Sequence, residues 1–316
     1  MRTNFWAGRA SRVFYFAVYA ALLMPAAASA QTSDTSPPQG SAATARRVAG
    51  VRASSGLSWS RWASVNVDDA VPPVAPEVPC SLPQVLEETG KRIQELVASL
   101  QQFTAIERIE HREADRSGAW RAPKTRSVHY LAFISEVRPG WLSVDEARNG
   151  ADSLNLFPTK LASRGTVALA LIFHPYYVED FVTVCEGLGQ WSGQPAWQVH
   201  FRQRADKPSR IRGYRVKNKS FPVKLKGRAW IAADNYQVLH IETDLDEPLS
   251  LIRLAREHQV IDYGPVPFKR RNLQLWLPHN AELYIDLGGH RYCHRHSFSD
   301  FELFSVDVTQ QIRDPQ

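Results

Sequence analysis

The stretch "FPVKLKGRAWIAADNYQVLHIETDL", residues 221–245, decides the fold of this chain. A run of strand-forming residues ends in "GRAWI", the polar segment "AADNY" supplies a turn, and "QVLHIETDL" leads the chain back. Similar β-rich runs, separated by turns that contain glycine or proline, extend from "TAIERIEHRE" to "AELYIDL". The sequence therefore predicts a long antiparallel meander.

The residues before this meander predict a helix. The segment "CSLPQVLEETGKRIQELVASLQQF", residues 80–103, has apolar residues at helical spacing, a capping-box pattern in Ser81 and Gln84, and Pro83 in its first turn. In "GTVALALIFHPYY", residues 165–177, an apolar run without alternation predicts a short second helix that Pro175 ends. We predict a single α+β domain over residues 80–316.

Residues 1–30 have the features of a secretory signal peptide. Three arginines precede the mostly apolar run Val13–Met24, and Ala28-Ser29-Ala30 predicts cleavage before Gln31. The apolar run is too short for a hydrocarbon core that needs about 20 residues, although an uncleaved anchor is the alternative. We expect an exported protein, in the periplasm or at the outer membrane, that has no transmembrane helix after cleavage.

Residues 31–79 are rich in Ser, Ala and Pro, which predicts a flexible tether because such a segment buries little apolar surface. Trp59 and Trp62 are the exception, since they could dock on the domain or on a partner; an exposed aromatic pair in the linker is the alternative. Removal of the signal peptide's arginines lowers the formal net charge from +6 to +3. So small a charge argues against a nucleic-acid partner.

Three cysteines, Cys80, Cys185 and Cys293, fit an oxidising compartment with one disulfide and one remaining thiol. Three pairings are possible, and the sequence does not choose between them.

The segment "GGHRYCHRHSFSD", residues 288–300, raises the question of a metal site. Gly288-Gly289 predicts a hairpin turn in which Asp286 faces Arg291 and Glu282 faces Arg295. Side chains alternate along a strand, so Cys293 points away from the histidines, toward a face that we expect to be solvated together with Tyr284. His294 and His296 remain weak metal candidates, because a catalytic zinc site needs a third ligand.

Recognised catalytic motifs are absent from the sequence. It contains no G-x-S-x-G, H-E-x-x-H, S-x-x-K or phosphate-binding loop, and "GLGQWSG", residues 187–193, fits a turn better than a dinucleotide-binding loop. We therefore predict no catalytic residue and no cofactor, with a periplasmic hydrolase that uses His294 and His296 as a minor alternative.

The hairpin at 221–245, together with an opening helix that passes directly into "FTAIERIEHRE", resembles the outer-membrane lipoprotein-sorting superfamily, which includes LolA-like and LolB-like carriers. The resemblance covers most of residues 80–316 and is most specific at the hairpin. It implies an incompletely closed antiparallel half-barrel whose concave face is apolar and is covered by the N-terminal helix and short helices.

The resemblance further implies a non-catalytic protein that binds lipid or lipoprotein acyl chains on this concave face. Buried methylenes would supply the affinity, at about 0.8 kcal/mol each. An envelope signalling or structural interaction module of the same fold is the main alternative, with envelope proteins as partners. Six residues are the candidate lining of the face: Trp230, Leu239, Ile241, Trp276, Leu283 and Ile285.

Overall fold

The computed structural model describes residues 66–100, 103–148, 165–216 and 219–303. All of them belong to the larger of the chain's two compact units, Gly50–Gln316. The signal peptide predicted for residues 1–30, the Trp59/Trp62 pair and the tether up to residue 65 lie outside the described residues. The described chain consists of one α-helix, several 3-10 turns and a large antiparallel sheet.

The predicted first helix is α1, Leu82–Ser99. Pro83 lies in its first turn, but Ser81 makes no side-chain capping bond, and Gln84 donates a hydrogen bond to the Tyr236 hydroxyl instead. Gly90 lies against the backbone of the residues that follow β3, where a Cβ atom would stand 3.3 Å from the carbonyl oxygen of Phe173. A glycine in mid-helix thus lets α1 pack tightly, which offsets its cost of roughly 1 kcal/mol in helix propensity.

Twelve strands follow α1, and ten of them form one antiparallel sheet in the order β3-β2-β1-β12-β11-β10-β9-β8-β5-β4. The strands are β1 Phe103–Glu113, β2 Lys124–Arg138, β3 Trp141–Arg148, β4 Phe181–Trp191, β5 Gln194–Gln203, β6 Gly213–Val216, β7 Lys219–Pro222, β8 Leu225–Ala232, β9 Val238–Leu245, β10 Leu254–Phe268, β11 Leu273–Leu287 and β12 His290–Leu303. Strands β6 and β7 pair separately as a small hairpin. The decisive stretch of sequence forms the β8–β9 hairpin, as predicted.

The predicted second helix is a run of 3-10 turns, Ala168–Phe173 and Val178–Asp180, and not an α-helix. All six residues of the first turn are buried. The short apolar run ends at His174-Pro175, and runs of 3-10 helix longer than a few residues are uncommon. We call residues 168–180 the cover segment, because it packs with α1 against one face of the sheet, which we call the covered face.

The large sheet is open but strongly curled. A flat sheet of ten strands would separate its edge strands β3 and β4 by about 43 Å. One guanidinium instead spans the two edges: Arg210 Nη1 lies 3.4 Å from the carbonyl oxygen of Gly140, in the β2–β3 turn, and Arg210 Nη2 lies 2.5 Å from Asp180 Oδ2, just before β4. The predicted antiparallel architecture with few helices is thus confirmed as an open, curled sheet.

The predicted flexible tether is wrong for residues 66–79, which lie extended on the opposite, outer face of the sheet. We call residues 66–80 the strap. Its Val67 N–H donates to Asp244 Oδ2 at 2.8 Å, and its Val67 carbonyl accepts from Arg228 at 2.8 Å. A disulfide joins Cys80 to Cys185 of β4, which confirms one bond among the three cysteines. Composition alone misled the prediction, because the contacts that fix the strap come from distant strands.

The register of the β11–β12 hairpin is confirmed, with Asp286 opposite Arg291 and Glu282 opposite Arg295. The predicted solvated face is wrong at two positions, because Tyr284 is 5% exposed and the free thiol Cys293 is fully buried. Burial raises the pKa of Cys293 to about 12, so this thiol stays protonated and unreactive.

Candidate functional site

The covered face is the largest apolar surface of the described chain. It carries the buried residues of every long strand, with Phe103 and Tyr130 at one end and Phe201 at the other. The helix α1 contributes one stripe to the same cluster, and the cover segment contributes its whole apolar run. Burial of these side chains supplies the main stabilisation of the fold, at about 25 cal/mol per Å² of apolar surface.

The six candidate lining residues do not share a face. Ile241, Leu283 and Ile285 lie on the covered face and are 2% exposed or less. Trp230 and Leu239 lie in a smaller cluster on the outer face, with Trp276 partly buried against both clusters. The side chains of the first three contact the protein's own core.

A β-bulge explains why Leu239 lies on the outer face, whereas Trp230 lies there by regular alternation with Ala229 and Ile231 of the covered face. Trp230 pairs with His240 but Ile231 pairs with Val238, so Leu239 is an extra residue in β9. Alternation is interrupted at such an insertion, and Leu239 joins the outer face with His240. The sequence contains no proline or glycine at this point that would have revealed the bulge.

His240 is the polar centre of the outer aromatic cluster. Its ring stacks on Trp191 with centroids 3.6 Å apart, and its nitrogens lie 2.7 Å from Asp262 Oδ1 and 3.1 Å from Glu242 Oε1. Burial opposes protonation of His240, but the hydrogen bonds to Asp262 and Glu242 outweigh it and raise the pKa of the ring. The ring of His240 thus joins β9 to Asp262 of β10.

Replacement of His240 by phenylalanine is expected to lower the free energy of unfolding at pH 6 by about 1–3 kcal/mol, since charge-assisted hydrogen bonds disappear while ring stacking persists. A raised folded pKa gives a contribution that is full below the ordinary value of 6.5 and is lost as the pH rises through the folded value. The difference between wild type and His240→Phe should therefore shrink from pH 6 to pH 9 in urea unfolding. A constant difference would contradict the assignment.

The covered face has an opening beside the edge strand β3. A cavity of about 220 Å³ lies there between β3 and the cover segment. Leu142, Val144, Ala168 and Leu171 give it apolar walls, and Arg210 also lines it. Arg212 lines the cavity as well, and both guanidinium groups are paired, Arg210 with Asp180 and Arg212 with Glu257.

The two weak metal candidates, His294 and His296, lie on the covered face in the first half of β12. His296 Nδ1 lies 2.7 Å from Glu107 Oε1, and Glu107 accepts two hydrogen bonds from Arg148. Burial opposes ionisation of Glu107, but the bonds from His296 and Arg148 outweigh it and lower its pKa to about 2. His296 is thereby a partner in a buried ion-pair network, and Arg148 was not identified from the sequence.

His294 stacks near His111, with ring centroids 4.7 Å apart. Burial lowers the pKa of His111 to about 4 and that of His294 well below its ordinary range, so both rings are neutral at pH 7. In the part of the chain that the structure describes, no group of three or more His, Cys, Asp or Glu residues is arranged to hold a metal ion.

No protein-family model matches the chain, and no curated protein matches its sequence. Several solved structures do match. A LolA superfamily protein from Nitrosomonas europaea is 12% identical, with a TM-score of 0.34 over 72% of this chain and 96% of its own. An outer membrane lipoprotein-sorting protein domain from Vibrio parahaemolyticus is 12% identical, with a TM-score of 0.35 over 70% of this chain and 94% of its own.

A DUF1329 family protein from Desulfovibrio piger is also similar, at 10% identity and a TM-score of 0.40 over 73% of this chain and 95% of its own. Similarity at this level does not transfer a ligand or an activity to the present chain. The described helices include none that is long and apolar enough to cross a membrane.

Proposed function

We propose that this chain is an exported, non-catalytic carrier that binds the acyl chain of a lipid or lipoprotein in the periplasm or at the outer membrane. The observation that carries the proposal is the cavity of about 220 Å³ at the free edge of the curled sheet, between β3 and the cover segment. Aliphatic side chains form part of its walls, beside Tyr177 and two arginines, and each methylene buried against them contributes about 0.8 kcal/mol. Such binding needs shape and apolar surface, and it needs no reactive group.

The cover segment is the part that moves in this proposal. Ligand pockets usually measure about 300–1,000 Å³, so an acyl chain needs more room than the cavity provides. The cover segment is held by short 3-10 turns, whose hydrogen bonds have poorer geometry than those of an α-helix. Its displacement would expose Ile241, Leu283 and Ile285, which we propose as the residues that line the bound chain.

A second candidate function is an envelope interaction module that binds no lipid. The observation that favours it is the near-complete burial of Ile241, Leu283 and Ile285 by the protein's own side chains. Native mass spectrometry of the gently extracted protein separates the two functions. A co-purified lipid supports the carrier, whereas a lipid-free protein that also fails to take up a fatty acid supports the module.

Replacement of Ala168 by phenylalanine is expected to weaken binding of a fluorescent fatty acid at least about tenfold. The phenyl ring would fill part of the cavity next to Leu171, where the alanine methyl group leaves it open. Fluorescence titration with cis-parinaric acid measures the change, and thermal unfolding monitors the fold. Ala122→Phe, at an exposed position between β1 and β2, is the matched control and should bind as the wild type does. Equal affinity in all three proteins would rule out this cavity as the entry site.

A further inference from the structure

The strap crosses the outer face of the sheet in one direction. At its C-terminal end Cys80 is bonded to Cys185 of the edge strand β4. At its N-terminal end the Val67 carbonyl accepts from Arg228 of β8, and the Val67 N–H donates to Asp244 of β9. The next two strands of the sheet beyond β9 are β10 and β11. Followed toward the N-terminus, the path of the strap therefore leads toward these two strands.

A cavity of about 410 Å³ begins at the first residue of the strap and extends over β10 and β11. Asn66 lines its near side, and Asp244, His258 and Tyr284 lie opposite one another across β9, β10 and β11 in its floor. The ring centroids of His258 and Tyr284 lie 6.2 Å apart. The volume falls within the range of about 300–1,000 Å³ that is usual for ligand pockets, so the cavity has room for a large side chain.

The lining of the cavity combines apolar surface with negative charge. Pro248 and Ala255 are exposed there and form an apolar wall. Lys226 and Arg256 are the lysine and the arginine of the lining, and Lys226 is bonded to a carboxylate of the strap. The aspartates of the lining outnumber these two cations: Asp68, Asp69, Asp244 and Asp246. An aromatic side chain beside a cationic one would complement both properties.

The sequence before the strap supplies both kinds of side chain. Residues 50–65 belong to the same compact unit as the strap. They include Trp59 and Trp62, together with Arg52 and Arg61, and they contain no acidic residue. Arg61 and Trp62 are neighbours in the sequence, so one short segment presents an indole and a guanidinium together.

The length of chain between the strap and each tryptophan favours Trp62 as the occupant of the cavity. Trp62 precedes Asn66 by four positions, over which an extended chain spans at most about 14 Å. The distance across the floor from Asp244 to Tyr284 is two strand spacings, or about 10 Å. Trp59 precedes Asn66 by seven positions, over which an extended chain spans about 25 Å, beyond the cavity. Since the strap is fixed, closing so short a loop costs Trp62 little chain entropy.

We propose that Trp62 of this same chain docks in the cavity and extends the strap over β10 and β11. Its indole packs on Pro248 and Ala255, and burial of this large apolar surface supplies the stabilisation. Arg61 lies at the rim, where Asp246 balances its charge. The docking site lies on the outer face, so it does not depend on the acyl cavity or on a bound lipid.

Fluorine NMR of the full chain, labelled with 5-fluorotryptophan, tests this docking. The chain contains nine tryptophans, and the resonance that Trp62→Phe removes belongs to Trp62. We expect this resonance to be protected from broadening by a soluble gadolinium chelate, and to lose its protection in urea. Ala255→Phe fills the cavity, so it should expose Trp62 and increase the broadening severalfold. The matched control is Ala122→Phe, at an exposed position between β1 and β2, which should leave Trp62 protected.

Three results would overturn the proposal. One is a Trp62 resonance that is broadened as strongly in the folded chain as in urea. Another is an equal effect of Ala255→Phe and Ala122→Phe on the broadening. The third is protection that weakens on dilution, because it would assign the cavity to Trp62 of a second copy of the chain. The dispersion of the other tryptophan resonances reports whether each variant is folded. If Ala255→Phe does not fold, Asp246→Lys, which reverses a charge at the rim, should expose Trp62 in its place.

Discussion

Replacement of both Cys80 and Cys185 by serine is expected to lower the free energy of unfolding by about 4–5 kcal/mol. The disulfide closes a loop between residues 105 positions apart, and cross-links of that span restrict the unfolded chain most. In the folded protein the same bond holds the end of the strap, where Val74 packs against Gly187 and the Ala75 N–H donates to the Leu188 carbonyl at 2.7 Å. Loss of the disulfide therefore affects both the folded and the unfolded state of the chain.

Urea unfolding of the double variant, compared with the oxidised wild type, measures this effect. The matched control is Cys293→Ser, which changes a thiol but breaks no cross-link. Cys293 is buried, so a moderate loss of about 1–2 kcal/mol is expected there. A double variant that loses no more stability than Cys293→Ser would show that the bond does not constrain the unfolded chain.

Replacement of Glu107 by glutamine is expected to cost about 3–5 kcal/mol, because it leaves the guanidinium of Arg148 buried without its counter-charge. Both side chains of this pair are 0% exposed, so solvent cannot compensate for the change. The matched control is Glu110→Gln. Glu110 lies on the same strand as Glu107 but on the outer face, and its pair with Arg112 is partly exposed. That variant should lose about 1 kcal/mol or less.

The same variant tests the acid stability of the protein. The pKa of Glu107 is lowered from 4.5 to about 2 in the folded chain, so its contribution is full above pH 4.5 and is lost as the pH falls toward 2. Urea unfolding between pH 7 and pH 3 should show a shallower acid-induced loss of stability in Glu107→Gln than in the wild type. Parallel curves for the two proteins would contradict the role of this carboxylate.

Local sequence patterns correctly predicted the structural features that depend on residues close together in the chain. The β11–β12 register followed from Gly288-Gly289 and from two opposite-charge pairs, because a two-residue turn fixes the pairing of both strands. The helix α1 followed from its apolar spacing. The 3-10 form of the cover segment did not follow, because it depends on packing between α1 and the sheet.

The sites were harder to predict, because their residues come from distant parts of the chain. The bulge at Leu239 moved one candidate to the outer face, and nothing in the local composition marks it. The contact between the strap and β9 joins Val67 to Asp244, which are separated by 177 positions. Alternation assigns side chains to faces, but it cannot show that a Pro-rich segment returns to cover one of them.

The pairing of β1 with β12 affects how the chain folds during its synthesis. Phe103 faces Leu303, so β1, the first described strand, pairs with β12, the last described strand, in the interior of the sheet. A nascent chain emerges at about 5–20 residues per second, so β1 lacks its second neighbour until β12, His290–Leu303, has been synthesised. During that interval β1 has an unpaired edge, and a chaperone that shields such edges would protect the incompletely synthesised chain from aggregation.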